Sequence, residues 1–212
     1  MFHKSIIIFF LTLLSIGVGQ DFDLSPLSWG EGEIEKYLKM DTRNFPDNPV
    51  ANGKNGAVTT TFHSAASRAG LEALNQGGTS VDAAMTAALT QITLNAGSVV
   101  SFFGVITMVH YDAATGEMVS MDAAWNTVQD ELDPMSIPGP KTVDVDAMWN
   151  PREVSSRTAL VGGFMRGVEA ANERYGKLPF KSLFDPAIYF AENGFELSPA
   201  TADFFKRRDL QI

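Results

Sequence analysis

The chain has 212 residues, 45% of them hydrophobic and 19% charged, which is the balance of a globular domain with a real core. Its formal net charge of -9 excludes the basic surface that nucleic acid or an anionic membrane recruits, so neither is expected as a partner. The absence of cysteine removes thiol nucleophiles and cysteine metal sites and fits a periplasmic or secreted protein that does without disulfides.

In chain order, residues 1–19 read as a signal peptide: Lys4, then the apolar run 5–18, then the small residues Gly17 and Gly19. The run is short for a bilayer span, so no membrane anchor is expected and the mature chain is placed near Gln20. Residues 20–55 mix prolines, glycines and alternating charges and read as an irregular arm with one short helix over 33–40. A β-branched segment follows at 57–61, and residues 64–75 carry Ala65, Ala69, Leu71 and Leu74 among good helix formers. Gly77 and Gly78 stop that helix, Thr79 or Ser80 caps the next, and Asp82 complements its macrodipole. The helix over 81–94 has almost no polar face, which predicts burial against close neighbours. Segments 105–112 and 117–122, joined by Ala113, Ala114, Thr115 and Gly116, read as a β-hairpin.

Residues 126–152 hold four prolines among acidic residues and read either as a solvated loop or as a cover over a site. Gly162 and Gly163 then precede a helix over 164–175, and the lack of side chains at that entry lets the backbone approach a neighbour or a ligand. Further helices are expected over 182–193, stopped by Gly194, and from Ser198 and Pro199 toward Arg207. No repeat period is kept along the chain.

The succession HSAASRAGLEALNQGGTSVDAAMTAAL, VHYDAATGEMVSMD and SSRTALVGGFMRGVEAANERYGKLPFKSLFDPAIYFAENGFELSP resembles the N-terminal part of the large subunit of the γ-glutamyltranspeptidase (glutathione hydrolase) family. The resemblance implies an α+β fold, the αββα sandwich of N-terminal nucleophile hydrolases, with residues 56–212 supplying only part of it. It further implies a precursor that cuts itself in two, a partner small subunit from the same precursor, a small-molecule γ-glutamyl or other amide substrate, and no cofactor. The family nucleophile, an N-terminal threonine using its own amine as base, lies beyond Ile212 in family order. No catalytic residue is therefore expected in this chain, and 81–94 would be under-covered in the chain alone. A run at Thr59, Thr60 and Thr61 superficially resembles a nucleophile start, but it passes at once into a helix.

The family contributes an arginine just after the hairpin to hold the substrate α-carboxylate in a bidentate pair. Here that stretch is Asp122, Ala123, Ala124, Trp125, Asn126 and Thr127, without an arginine. Trp125, Asn126 and Thr127 become the candidate substrate-binding residues, offering a flat apolar wall and polar groups to a different acyl group, although Trp125 could equally pack under the acidic loop. The family's glycine-rich loop is GSVVSFFG at 97–104, where Phe102 and Phe103 would narrow or cover a pocket. Both departures point to altered specificity, of an acylase type; the alternative of a different class is an inactive member kept as a secreted binding protein. His63 and His110 have no ligand spacing, and no metal site is expected.

Overall fold

The computed structural model describes residues 21–40, 50–96, 100–136, 161–197 and 199–207. The expected leader at 1–19, residues 97–99 and the later part of the proline-rich loop lie outside them.

Residues 20–55, read from sequence as an irregular arm with one short helix over 33–40, show that helix and, beyond the expectation, a strand. Helix α1 (Glu33–Met40) starts with Glu33 and Glu35 at its positive end, and the Gly30 amide donates to Glu33 Oε2 at 2.9 Å. Strand β1 (Val50–Gly53) pairs antiparallel with β2 (Gly56–Thr59), Val50 opposite Thr59 and Gly53 opposite Gly56. The sequence points to a strand as far as Thr61. It stops at Thr59 because the Thr60 hydroxyl turns to the His63 carbonyl (2.5 Å) and to Ser67 Oγ (3.0 Å), committing the backbone to the next helix.

Helices α2 (Ser64–Asn75) and α3 (Ser80–Leu94) pack side by side. A side-chain carbon on Gly70 would sit 2.7 Å from the Ala83 carbonyl and 2.9 Å from Val58 Cγ1, so the close approach requires glycine there. Gly77 takes a φ of +86° in the turn, and Thr79 with Asp82 forms a capping box: Asp82 N–H donates to Thr79 Oγ1 at 3.2 Å and Thr79 N–H to Asp82 Oδ2 at 2.8 Å. As its composition predicts, α3 is buried nearly all round, through Val81, Met85, Leu89, Ile92 and Leu94. Apart from Ser80 at its start and the half-buried Thr93, its incomplete cover falls on the stripe of Ala84, Ala88 and Gln91.

Strands β3 (Ile106–Asp112) and β4 (Glu117–Ala123) form the expected hairpin, in register from Ile106 opposite Ala123 to Asp112 opposite Glu117. Its inner face, with Ile106, Met108 and Met121, packs toward the core, and α4 (Phe164–Tyr175) lies against it. Gly167 makes that contact possible, since a side-chain carbon there would fall 2.4 Å from Ile106 Cγ2. His110 stacks on Tyr175 with ring centres 4.5 Å apart. The outer face exposes Val109, Tyr111 and Met118.

The helix expected over 182–193 is observed as a 3-10 turn (Phe180–Phe184) followed by α5 (Asp185–Asn193). Pro186 explains the break, because proline fits the first helical turn but cannot donate within a helix. Helix α6 (Pro199–Arg207) closes the described chain.

Two apolar clusters result. One joins α3, α4 and the hairpin. The other joins Trp29 and Tyr37 of the arm to Ala65, Ala69 and Leu71 of α2 and to Phe190 of α5, with the Trp29 and Phe190 rings 6.2 Å apart at 65°. Arg68 locks this second cluster: it bonds Glu33 at 2.8 Å and Glu72 at 2.9 Å, and its guanidinium lies 4.8 Å from the centre of the Trp29 ring. At the other end of the arm, the Leu24 amide donates to Asp185 Oδ2 at 3.2 Å.

Burial works to raise the Glu33 carboxyl, but hydrogen bonds from Arg68 and the Gly30 amide, with the guanidinium charge, hold it below its ordinary value. A lowered folded pKa stabilises above the ordinary carboxylate range, and that contribution is lost as pH falls through the folded value. Asp185 has the opposite sign: burial raises its carboxyl despite the Leu24 hydrogen bond, so its contribution favours folding as pH falls. Between about pH 7 and about pH 3, wild type is therefore expected to lose more urea resistance than Glu33→Gln. Parallel losses in the two proteins would show that the Glu33–Arg68 pair does not anchor the arm.

Candidate active site

The candidate residues come together at the end of the hairpin where β4 finishes at Ala123. Residues 101–104 make a tight turn there, with the Gly104 amide donating to the Ser101 carbonyl at 3.0 Å and the Phe103 amide to Ser101 Oγ at 3.2 Å. The strand end and this turn meet at Gly162 and Gly163. A side-chain carbon on Gly162 would lie 1.8 Å from the Phe103 carbonyl oxygen, and one on Gly163 would lie 2.5 Å from that of Ala123 and 2.8 Å from that of Ala124. On one side Asn126 and Val161 exchange two backbone hydrogen bonds of 2.9 and 2.8 Å. On the other, the Phe164 amide donates to the Gly104 carbonyl at 3.0 Å.

Three segments distant in sequence are thus fixed in one place, and four of the five candidate residues border it directly. Phe103 is 84% exposed and Trp125 57% exposed; most of the acidic loop under which Trp125 would alternatively pack lies outside the described residues. Asn126 is exposed, and its Oδ1 accepts from the Thr127 amide at 2.9 Å. Thr127 is half-buried. Phe102 differs, since its ring turns inward to meet Phe164 edge-on at 6.5 Å and belongs to the core margin. The neighbourhood thus exposes three apolar side chains, Phe103, Trp125 and Val161, beside the polar Asn126 and Thr127. Arg166, in the first turn of α4, is ion-paired with Glu169.

A second concave region, a cleft of about 420 Å³, runs between β2 and the uncovered stripe of α3, lined by Thr59, Thr60, Thr61, Ala84, Ala88 and Gln91. It holds the threonine run. His63 is buried at the α2 N-terminus, where its carbonyl receives the Thr60 hydroxyl. Among the described residues no group of three or more histidine, aspartate or glutamate side chains is placed to hold a metal. Sequence reasoning marked Gly162 and Gly163 only as an entry where something comes close; what comes close, the backbone of 103 and of 123–124, needed the tertiary structure.

A family model described as gamma-glutamyltranspeptidase matches residues 66–212. The chain is 31% identical over 161 residues to an acylase ACY 1 proenzyme from a Pseudomonas species, covering 70% of this chain and 26% of that protein. It is 30% identical over 140 residues to glutathione hydrolase 5 proenzyme of Rattus norvegicus, covering 65% and 23%. The chain thus spans about a quarter of the length of these relatives. Among solved structures it superposes on the γ-glutamyltranspeptidase of Helicobacter pylori with a TM-score of 0.60 at 28% identity, over 75% of this chain and 44% of that one. The Pseudomonas nitroreducens γ-glutamyltranspeptidase complexed with L-DON gives a TM-score of 0.58 at 23% identity, over 74% and 44%. With the match running through both helices α2 and α3, the hairpin and the glycine-centred junction, the chain belongs to the γ-glutamyltranspeptidase family.

Proposed function

We propose that this chain is the N-terminal part of the large subunit of an exported amide hydrolase and acyl transferase, completed by a small subunit cut from the same precursor. A threonine beyond Ile212 would attack the substrate amide carbon through its hydroxyl, with its own α-amine taking the proton and backbone N–H groups holding the oxyanion. The amine product leaves with that proton, and water or a second amine then takes the acyl group from the threonine ester. In this reading residues 56–212 supply part of an αββα sandwich, and the exposed outer face of the hairpin, with Val109, Tyr111 and Met118, is where its second sheet packs. What supports the reading is the family match from residue 66 onward together with the convergence of residues 101–104, 123–127 and 161–163 at one place.

The acyl group itself is the open variable. Residues 122–127 carry no cation, Phe103 and Trp125 stand exposed beside them, and a proenzyme named as an acylase is among the similar proteins. These observations favour a second reading, in which the acyl group is not glutamyl and is held by an apolar wall rather than by a guanidinium. The whole protein, expressed from a gene extended past Ile212, decides both. A threonine at a cleavable junction, with release of an amine from amide substrates, supports the enzyme; a continuation without that threonine overturns it and leaves a binding protein. Efficient release of γ-glutamyl groups, equal to that of relatives that carry the arginine, would overturn the apolar-wall reading; kcat/KM for γ-glutamyl amides is expected to be lower by about tenfold or more, the value of one charged contact.

A further inference from the structure

We infer that Gly162 and Gly163 are positioning residues for the active site, a clasp that sets where Phe103 and Trp125 stand. The inference rests on the proposed function only in taking residues 101–104 and 123–126 as facing substrate. Both glycines are selected by space rather than by backbone conformation: Gly163 has φ -88° and ψ -5°, values that any residue adopts. What a side chain would strike is carbonyl oxygen in the backbone, of Phe103 at 1.8 Å and of Ala123 at 2.5 Å, and no rotamer change can relieve that. The two contacts are held shut by hydrogen bonds on either side, the Asn126 and Val161 pair and the Phe164 amide to the Gly104 carbonyl. A single added methyl at either glycine must therefore push one loop away from the other. Neither Phe103 nor Trp125 has a buried ring to hold it in place, so their positions are set by the backbone that the clasp fixes.

The test uses the whole protein labelled with fluorotryptophan, the Trp125 signal being assigned by its loss in Trp125→Phe. Gly162→Ala and Gly163→Ala are expected to shift the Trp125 fluorine resonance and to raise KM for the amide substrate about tenfold with a smaller change in kcat, since a displacement near 1 Å at a binding group costs up to about a hundredfold. Gly116→Ala is the matched control: it is strained by a φ of +74° but meets open space, so it lowers stability without moving Trp125. An unmoved Trp125 resonance in both glycine variants overturns the clasp. A shifted resonance with unchanged KM supports the clasp and overturns the reading of these segments as substrate-facing. Should both variants fail to accumulate folded, hydrogen exchange in the unaltered protein decides: the amides of Asn126, Val161 and Phe164 are expected to open as one unit, and independent opening overturns the inference.

Discussion

Asp82→Ala is expected to lower folding stability by at least about 3 kcal/mol, because several buried donors lose their acceptor together. The Asp82 side chain is fully buried. Besides the Thr79 cap, it accepts from the Lys177 amide at 2.8 Å, the Leu178 amide at 3.4 Å and Asn172 Nδ2 at 3.0 Å. It thus closes the α3 N-terminus and at the same time seals the chain that leaves α4, with no cation involved in any of these contacts. Asp82→Asn keeps one oxygen but turns an N–H₂ group toward donors, so its loss is smaller than that of alanine yet still above the value of a surface change. Urea unfolding of the purified variants measures both. A loss under about 1 kcal/mol for the alanine variant would show that water replaces the carboxylate and that α3 and α4 are not joined through it. Because α4 begins at the glycine clasp, the same variant is expected to weaken substrate binding.

Arg68→Ala is expected to cost about 3–5 kcal/mol, the range for removing one partner of a buried ion pair. Most of that arises at Glu72, whose side chain is only 10% exposed and would keep the neutral donor Gln76 Nε2 at 3.0 Å but lose its cation; Glu33, at 29%, is better hydrated and contributes less. The Arg68→Ala, Glu72→Gln double variant should therefore recover part of the loss. Arg68→Lys should recover little, since an ammonium can neither bridge two carboxylates with a planar fork nor stack on the Trp29 indole as the guanidinium does. The readouts are the unfolding midpoint and the emission of Trp29. A lysine variant as stable as wild type would reduce the role of Arg68 to charge alone.

Local features were legible in the sequence wherever one short-range rule decided the outcome. A helix cap at Thr79 or Ser80, the Gly116 hairpin turn and the helix over 164–175 all follow from neighbours within four residues, although the reciprocal bond that makes Thr79 and Asp82 a capping box was seen only in the structure. Burial of α3 was legible too, since a helix of alanine, methionine, leucine and isoleucine has no face for water. The arm was not. Trp29, Glu33 and Val50 take their structure from partners tens of residues away, namely Arg68, Phe190 and β2, and a single proline- and glycine-rich stretch carries no sign of them. The candidate site was half legible for the same reason: Trp125 and Phe103 stood out as departures from a family pattern, whereas the glycines against which their segments pack were readable only as a place of close approach.

The hydrogen-bonded pair of Asn126 and Val161 also bears on how such a protein can change over time. Pinning both ends of an excursion makes its contour length almost irrelevant to the frame, because closing a loop costs only about 0.6 kcal/mol more for each doubling of its length. A lineage can therefore insert, delete or rewrite residues between those two positions at small thermodynamic cost while Phe103, Trp125 and the helices behind them keep their coordinates. The neck at residues 126 and 161 thus separates the mounting of Phe103 and Trp125 from a stretch whose length can change at small cost to the frame.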